Sequence, residues 1–372
     1  AVIAHVLAHG AQSALMVPTE VLAEQHARTI AKLLQNFQRT KPGFPIPHVA
    51  LLTGSTPKSE AEAIKRQAAQ GLIHVLIGTH ALLEEDVVFS NLRLVVLDEQ
   101  HRFGVNQRTR LVEKGSPHVL SMTATPIPRT LALTAFGDHD LSVLLEKPGQ
   151  RQPIETKVVA PSGRKTVELF INKAIDEGRQ VFVICPLIKE GEDEIKNVVS
   201  ETKRLTEVFP HRKISMLHGR LTPSEKQNIL QDFRDKKSDI LVSTSVIEVG
   251  IDIPNATIML IEGAERFGLA QLHQLRGRVG RGDEKSYCFL FTTEASQASS
   301  LRLKAMEQHD SGFILAEIDL KIRGPGELYG LRQSGIAAIG ESRLFQPELI
   351  ERAREAAKRH LGMTEEHAAP LV

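Results

Sequence analysis

Short β-branched apolar runs alternate with amphipathic stretches of helix length along most of the chain, and this alternation limits the fold more than any other feature. ALMV (14–17) precedes TEVLAEQHARTIAKLLQ (19–35), and VALL (49–52) precedes SEAEAIKRQAAQG (59–71). VLIG (75–78), LVVLD (94–98) and VLSM (119–122) follow. Apolar runs of this length suit strands buried on both faces, and the helices between them supply the crossovers of a parallel sheet. Ser59 and Glu62 have the spacing of a capping box at one helix start, and Gly71 suits that helix's exit.

The alternation then restarts. GQRQP (149–153) is polar, holds Gly and Pro and lacks periodicity, so it reads as a linker. Beyond it come TKVV (156–159), VFVIC (181–185), ISML (214–217), DILVS (239–243), TIMLI (257–261) and YCFLF (287–291), with helix-length segments between. Thr222-Pro223-Ser224-Glu225 joins an N-cap, a first-turn proline and a glutamate three residues on, which marks a helix start. From 294 onward the strand pattern stops. Residues 294–309 and 347–361 read as helices flanking KIRGPGELYGLRQSG (321–335). The expected organisation is an α/β chain with a first lobe over 1–148, a second over 149–293 and a small helical segment over 294–372. The opening, AVIAHVLAHG, is apolar at helical spacing from its first residue without a capping residue ahead, as if something upstream had been removed.

Composition removes several function classes. No apolar run approaches the ~20 residues of a membrane helix, and the chain does not open on a secretory signal. Two cysteines, Cys185 and Cys288, lie in separate apolar runs and read as reduced, buried thiols of a cytoplasmic protein. The 15 histidines are scattered singly, which argues against a dedicated metal site. A formal net charge of +1 neither demands nor excludes nucleic acid. Aromatic residues make up 4 %, with no tryptophan, so any grip on nucleic acid should track the backbone rather than stack on bases.

Four boxes carry chemistry. LVVLDEQH (94–101) is an apolar strand that ends in adjacent carboxylates at the edge where open α/β sheets bind ligands. There Asp98 can hold Mg²⁺ through water, and Glu99 can orient and deprotonate a water attacking a γ-phosphate. A solvated acidic strand end would look the same. SMTATPIPRT (121–130) is a tight hydroxyl-rich connection after the next strand, with Thr123 and Thr125 around an alanine. STSVIEVGIDIPNATIMLI (243–261) places Gly250 and Asp252 in a loop between two strands. QLHQLRGRVGRG (271–282) interleaves Arg276, Arg278 and Arg281 with glycines, a density of guanidinium forks that suits phosphate oxygens. An exposed basic turn is the plainer explanation of that last box taken alone.

In this order across two α/β lobes, the four boxes resemble those of superfamily-two helicases. LDEQHRFGVNQR (97–108) and MTATPIPRTLALT (122–134) narrow the resemblance to the RecG family of bacterial branch-migrating DNA helicases. ALMVPTEVLAEQH (14–26), IGTHALL (77–83), LHGRL (217–221) and RGPGELYGLRQSG (323–335) match as well. The resemblance implies two tandem RecA-like lobes with ATP and Mg²⁺ in the cleft between them. Asp98 and Glu99 match the Walker B carboxylates, and His101 links them to the turn of Thr123 and Thr125. Gln274 would sense nucleotide, Arg278 and Arg281 would act as arginine fingers, and Gly250 and Asp252 would couple to the nucleotide. Pro18, Thr19, Gly54, Thr79 and Thr244 fall in boxes that line the nucleic-acid groove. Residues 294–340 resemble a helical hairpin and loop used for translocation, with Arg323, Arg332 and Gln333 as its key side chains. The implied partner is branched double-stranded DNA, such as stalled forks and four-way junctions, in repair and recombination, met by a monomer in the cytoplasm.

The sequence departs from the family in one respect: no GxxxxGK[ST] loop lies within the 372 residues. SGRKT (162–166) is the nearest imitation and lacks the glycine before the lysine. The expectation is a chain that starts just past its phosphate loop, also lacks the family's junction wedge, and hydrolyses ATP poorly alone. The transcription-repair coupling factor shares RFGV and TATPIPRT, but RGPGELYGLRQSG and the Gln of DEQH fit RecG better. A non-catalytic nucleic-acid-binding module is the rival from another class, and the joint presence of Asp98, Glu99, Arg278 and Arg281 argues against it.

Overall fold

A computed structural model describes residues 1–41, 43–99, 103, 110–111, 113–124, 142–144, 152–186, 192–244, 253–282, 284–296, 300–323 and 347–360. The chain divides into two compact units, Ala1–Ala124 and Thr125–Val372.

The first unit holds five strands, β1 (Gln12–Met16), β2 (Val49–Leu52), β3 (Val75–Gly78), β4 (Leu92–Leu97) and β5 (His118–Ser121), in the order β2-β3-β1-β4-β5. Every pairing is parallel. Among the described residues its helices are α1 (Val2–Ala8), α2 (Glu20–Thr40) and α3 (Lys58–Ala69). Ala14, Met16, Leu76, Val95 and Leu97 form a core with Ile64 and Ala68 of α3. Helix α1 lacks a side-chain cap, as its sequence predicts. The capping box expected at Ser59 does not form: α3 begins two residues earlier, at Lys58 behind Pro57, without a side-chain cap. Pro57 fixes its own φ and already directs the chain into the helix, so Ser59 lies inside the first turn. Gly71 takes the left-handed φ of +76° just past the helix end, as expected.

The second unit holds β6 (Glu155–Val159), β7 (Gln180–Ile184), β8 (Ile214–Leu217), β9 (Ile240–Ser243), β10 (Ala256–Ile261) and β11 (Tyr287–Phe291), all parallel, in the order β6-β11-β10-β7-β9-β8. Among the described residues its helices are α4 (Arg164–Asp176), α5 (Glu192–Val208), α6 (Pro223–Arg234), α7 (Leu269–Arg276), α8 (Leu301–Gln308), α9 (Gly312–Arg323) and α10 (Pro347–His360). Side chains alternate between two cores with the strand period of two. Phe182, Ile184, Met259, Ile261, Cys288 and Leu290 point to one face. Val181, Val183, Cys185, Ile258, Leu260, Phe289 and Phe291 point to the other. The two thiols therefore lie on opposite faces of the sheet, and both are free.

The capping box of Thr222 and Glu225 forms in both directions, with Glu225 N–H donating to Thr222 Oγ1 at 3.3 Å and Thr222 N–H to Glu225 Oε2 at 2.7 Å. The helix expected over 294–309 is shorter, starting at Leu301 behind the cap of Ser300, whose Oγ accepts from Leu303 N–H. Helix α9 falls within the 294–340 segment that resembles a helical hairpin, although its own sequence, GFILAEIDLKIR, is apolar at nearly every second position and hides the helical period. Helices α8 and α9 pack on α7 through Leu303, Met306 and Leu315, which join the core of Leu269, Leu272 and Leu275. Glu307 of α8 also accepts the Val158 N–H at 2.6 Å, satisfying a donor on β6, an edge strand.

Candidate functional site

In the first unit, parallel strands bring every carboxyl end to one edge of the sheet, and the predicted residues follow those ends. Pro18 and Thr19 follow β1, Gly54 follows β2, Thr79 follows β3, Asp98 and Glu99 follow β4, and Thr123 follows β5. Connections leave β1 toward β2 and β4 toward β5, in opposite directions, so the crevice where such sheets bind ligands opens between β1 and β4. Asp98 stands at that point, its N–H donating to the Met16 carbonyl at 3.0 Å.

The Asp98 carboxylate is held on both sides. Oδ1 accepts the Glu99 N–H at 3.0 Å. Oδ2 lies 3.2 Å from Nε2 of His26, on α2. Glu99 adopts φ +53°, a left-handed conformation that costs an ordinary side chain ~1–2 kcal/mol. A carboxylate at a switch point, fixed by two donors and still partly open (21 % side-chain exposure), fits a ligand to a hydrated Mg²⁺. Among the described residues no group of three or more His, Cys, Asp or Glu is placed to hold a metal ion.

The groove-lining positions divide. Thr19 caps α2, its Oγ1 accepting the Leu22 N–H at 3.4 Å. Gly54 is exposed in a hydroxyl-rich turn where Thr53 N–H donates to Thr56 Oγ1 at 2.9 Å. Thr79 is 3 % exposed, and its Oγ1 has no hydrogen-bond partner among the described residues. The strand before it approaches β2 so closely that a Cβ on Gly78 would run into the Leu52 carbonyl oxygen, so only glycine fits. In the second unit Thr244, the residue after β9, is fully buried, with Oγ1 likewise unpartnered among the described residues.

The arginine box separates in the structure. Gln274 lies on α7 and is partly exposed, as are Arg278 and Arg281 beyond its Gly277 end; Arg281 Nε donates to the Gly277 carbonyl at 3.3 Å. Gly280 takes φ +76°, which a side chain would strain. Arg276 does something else. It is 3 % exposed and donates through Nη1 to the Met306 carbonyl (2.8 Å) and through Nη2 to the His309 carbonyl (3.0 Å), at the C-terminal end of α8. Burial lowers its pKa from the ordinary arginine value. Its spacing groups Arg276 with the arginines expected to face phosphate; in the structure its fork instead fixes α7 to α8.

His101, Thr125, Gly250, Asp252, Arg332 and Gln333 lie outside the described residues, and Arg323 is the last residue of α9, its side chain not among those described. Two further contacts involve side chains outside the four boxes. His26 falls one turn after the buried Leu22 on the sheet-facing stripe of α2, a signal that was available. Arg164 and Glu262 form a bidentate pair (2.8 and 2.6 Å), with the guanidinium 4.2 Å from the Phe291 ring centroid; residues 98 apart in sequence give no local sign of it.

Comparison with known proteins decides the family. The DEAD/DEAH box helicase model matches residues 1–134, and the model of the helicase conserved C-terminal domain matches 164–283. The ATP-dependent DNA helicase RecG of Synechocystis is 52 % identical over 353 residues, 94 % of this chain and 42 % of that protein. The chain belongs to the RecG family. RecG of Streptococcus pneumoniae is 46 % identical over 94 % of this chain and 51 % of its own length. The chain thus spans about half the length of the curated relatives it matches. A structure of RecG bound to a three-way DNA junction superposes with a TM-score of 0.69 at 44 % identity, covering 86 % of this chain and 41 % of that one. Yeast Dbp5 bound to RNA and ADP BeF3 shares the two-lobed RecA-like fold at a TM-score of 0.57 and 16 % identity. Among the described residues no helix is long and apolar enough to cross a membrane.

Proposed function

We propose that this chain is the motor segment of an ATP-dependent DNA helicase that remodels branched double-stranded DNA, such as stalled forks and four-way junctions, in repair and recombination. The observation that carries the reading is the strand-end placement of Asp98 and Glu99 at the crevice between β1 and β4, in a chain 44 % identical to a RecG bound to a three-way DNA junction. The lobes are assigned to 1–148 and 149–293 and the translocation segment to 294–372, in a monomer acting in the cytoplasm.

ATP with Mg²⁺ would supply a γ-phosphate whose transfer to water releases the free energy for movement. Asp98, fixed by His26 and the Glu99 amide, would hold the hydrated cation. Glu99 orients the attacking water and takes its proton. Arg278 and Arg281 act as the arginine fingers, favouring one state of the motor only while the γ-phosphate is present. Gln274 reads the nucleotide; His101, Thr123, Thr125, Gly250 and Asp252 pass its state onward. Pro18, Thr19, Gly54, Thr79 and Thr244 line the groove that tracks the DNA backbone. Arg276 makes α7 and α8 move together, so a displacement of the arginine box reaches the helices leading to Arg323, Arg332 and Gln333. The 372 residues alone are expected to turn over ATP slowly, since a glycine-rich loop with its Lys and Ser/Thr is not among them.

The test is ATP hydrolysis by the full-length protein with no DNA, linear duplex or a three-way junction. The reading expects the junction to stimulate turnover most. Equal turnover in all three conditions contradicts it.

A further inference from the structure

The carboxylate of Glu20 ties together two loops of the first unit. Glu20 is the first helical residue of α2, immediately after the capping Thr19. Its Oε1 accepts the Ser55 N–H at 3.0 Å, and its Oε2 accepts the Ser55 Oγ–H at 2.9 Å. Ser55 Oγ in turn lies 3.0 Å from Thr53 Oγ1, so the contact extends into the turn that carries Gly54. In the strand order β2-β3-β1, a link from the loop after β1 to the loop after β2 must span the carboxyl end of β3, where Thr79 begins the third loop. The buried, unpartnered Thr79 Oγ1 belongs to the same edge. A Cβ on Gly54 would sit 3.4 Å from Glu20 Oε1, at van der Waals contact, so the turn lies directly against the carboxylate.

We propose that Glu20 is a positioning residue for DNA binding. Its two hydrogen bonds to Ser55 set the offset between the Thr19 loop and the Gly54 loop, so that both meet one DNA backbone in register. The inference rests on the reading of this edge as the DNA-facing one. It has a sign that charge alone does not produce. Removing a carboxylate from a phosphate-binding face should by electrostatics tighten DNA binding and steepen its salt dependence. Loss of a positioning contact weakens binding and leaves the salt slope alone, because Glu20 itself neutralises no phosphate.

The experiment measures the Kd of full-length protein for a fluorescent three-way junction across a salt series, for wild type, Glu20→Ala, Glu20→Gln and Ser55→Ala. The proposal expects Glu20→Ala to raise Kd about three- to tenfold, the loss of one or two partly exposed hydrogen bonds, with an unchanged slope. Glu20→Gln keeps an acceptor for the Ser55 N–H and should stay within about twofold of wild type. Ser55→Ala should weaken binding less than Glu20→Ala, and the double variant should be no worse than Glu20→Ala alone. Tighter or unchanged binding by Glu20→Ala overturns the proposal, as does Glu20→Gln binding as weakly as Glu20→Ala. If Glu20→Ala fails to fold, Ser55→Ala at its exposed position decides, and undiminished binding there overturns it. Wild-type protein that ignores the junction overturns the DNA-facing reading and the proposal with it, whereas tight wild-type binding with an indifferent Glu20→Ala removes the proposal alone.

Discussion

Replacing Arg276 with methionine isolates what its buried fork does. The side chain keeps most of its volume, so the core of Leu269, Leu272 and Leu275 should stay filled, while the Met306 and His309 carbonyls lose their donors at 2.8 and 3.0 Å. Both carbonyls lie at the C-terminal end of α8, where the last carbonyls of a helix lack intrahelical partners and a cation is favoured. Each carbonyl left unsatisfied costs about 1–3 kcal/mol, partly offset because a buried cation no longer needs desolvating. A net loss of about 2–4 kcal/mol follows. In a unit of about 250 residues each kcal/mol moves Tm by about 2–4 °C, so the transition of the second unit should fall by about 5–15 °C. Differential scanning calorimetry would read the shift, and hydrogen exchange should show α8 and α9 losing protection before the sheet. A shift below about 1 °C with wild-type exchange in both helices would refute the assignment of Arg276 as their clamp.

Gly78→Ala should destabilise the first unit by about 3 kcal/mol or more, because its Cβ meets the Leu52 backbone oxygen and strands must separate to admit it; a wild-type denaturation midpoint would contradict this. The ion pair of Lys65 with Asp86 and Glu84 sets a pH window. Hydrogen bonding to Lys65 holds the Asp86 carboxyl below its ordinary 3.8, and Asp86 and Glu84 lift Lys65 above its ordinary 10.5. The stability gap between wild type and Lys65→Met should be present in between. It should close as pH falls below 3.8 and Asp86 protonates, and as pH rises above 10.5 and Lys65 loses its proton. A gap constant across the whole range, read by urea melts, would show that the pair is not its source.

The fold was legible because its signals are local. Strand-sized runs such as VLIG and ISML coincide with β3 and β8 residue for residue, since an apolar run flanked by polar segments can satisfy its backbone only in a buried ladder. The capping box at Thr222 was equally local. Ser59 misled because Pro57 competes for the same helix start. The strand-end carboxylates were legible from the alternation, which fixes which end of each strand carries the site. Arg276 was not, because three arginines within six residues look alike until packing shows which one is covered. The contacts of Glu20 with Ser55 and of His26 with Asp98 join residues 35 and 72 apart; the helical stripe of α2 marks His26 as sheet-facing, but nothing local names the partner of either side chain.

The most direct test of the motor account is junction-stimulated ATP turnover by full-length Glu99→Gln, measured beside its ATP affinity. If Glu99 is the base, turnover should fall by about 10²–10⁴-fold while ATP still binds, since glutamine keeps the shape and cannot take the proton. Undiminished turnover would mean that the β4 carboxylates do not perform the chemistry, and the account built on them would fail.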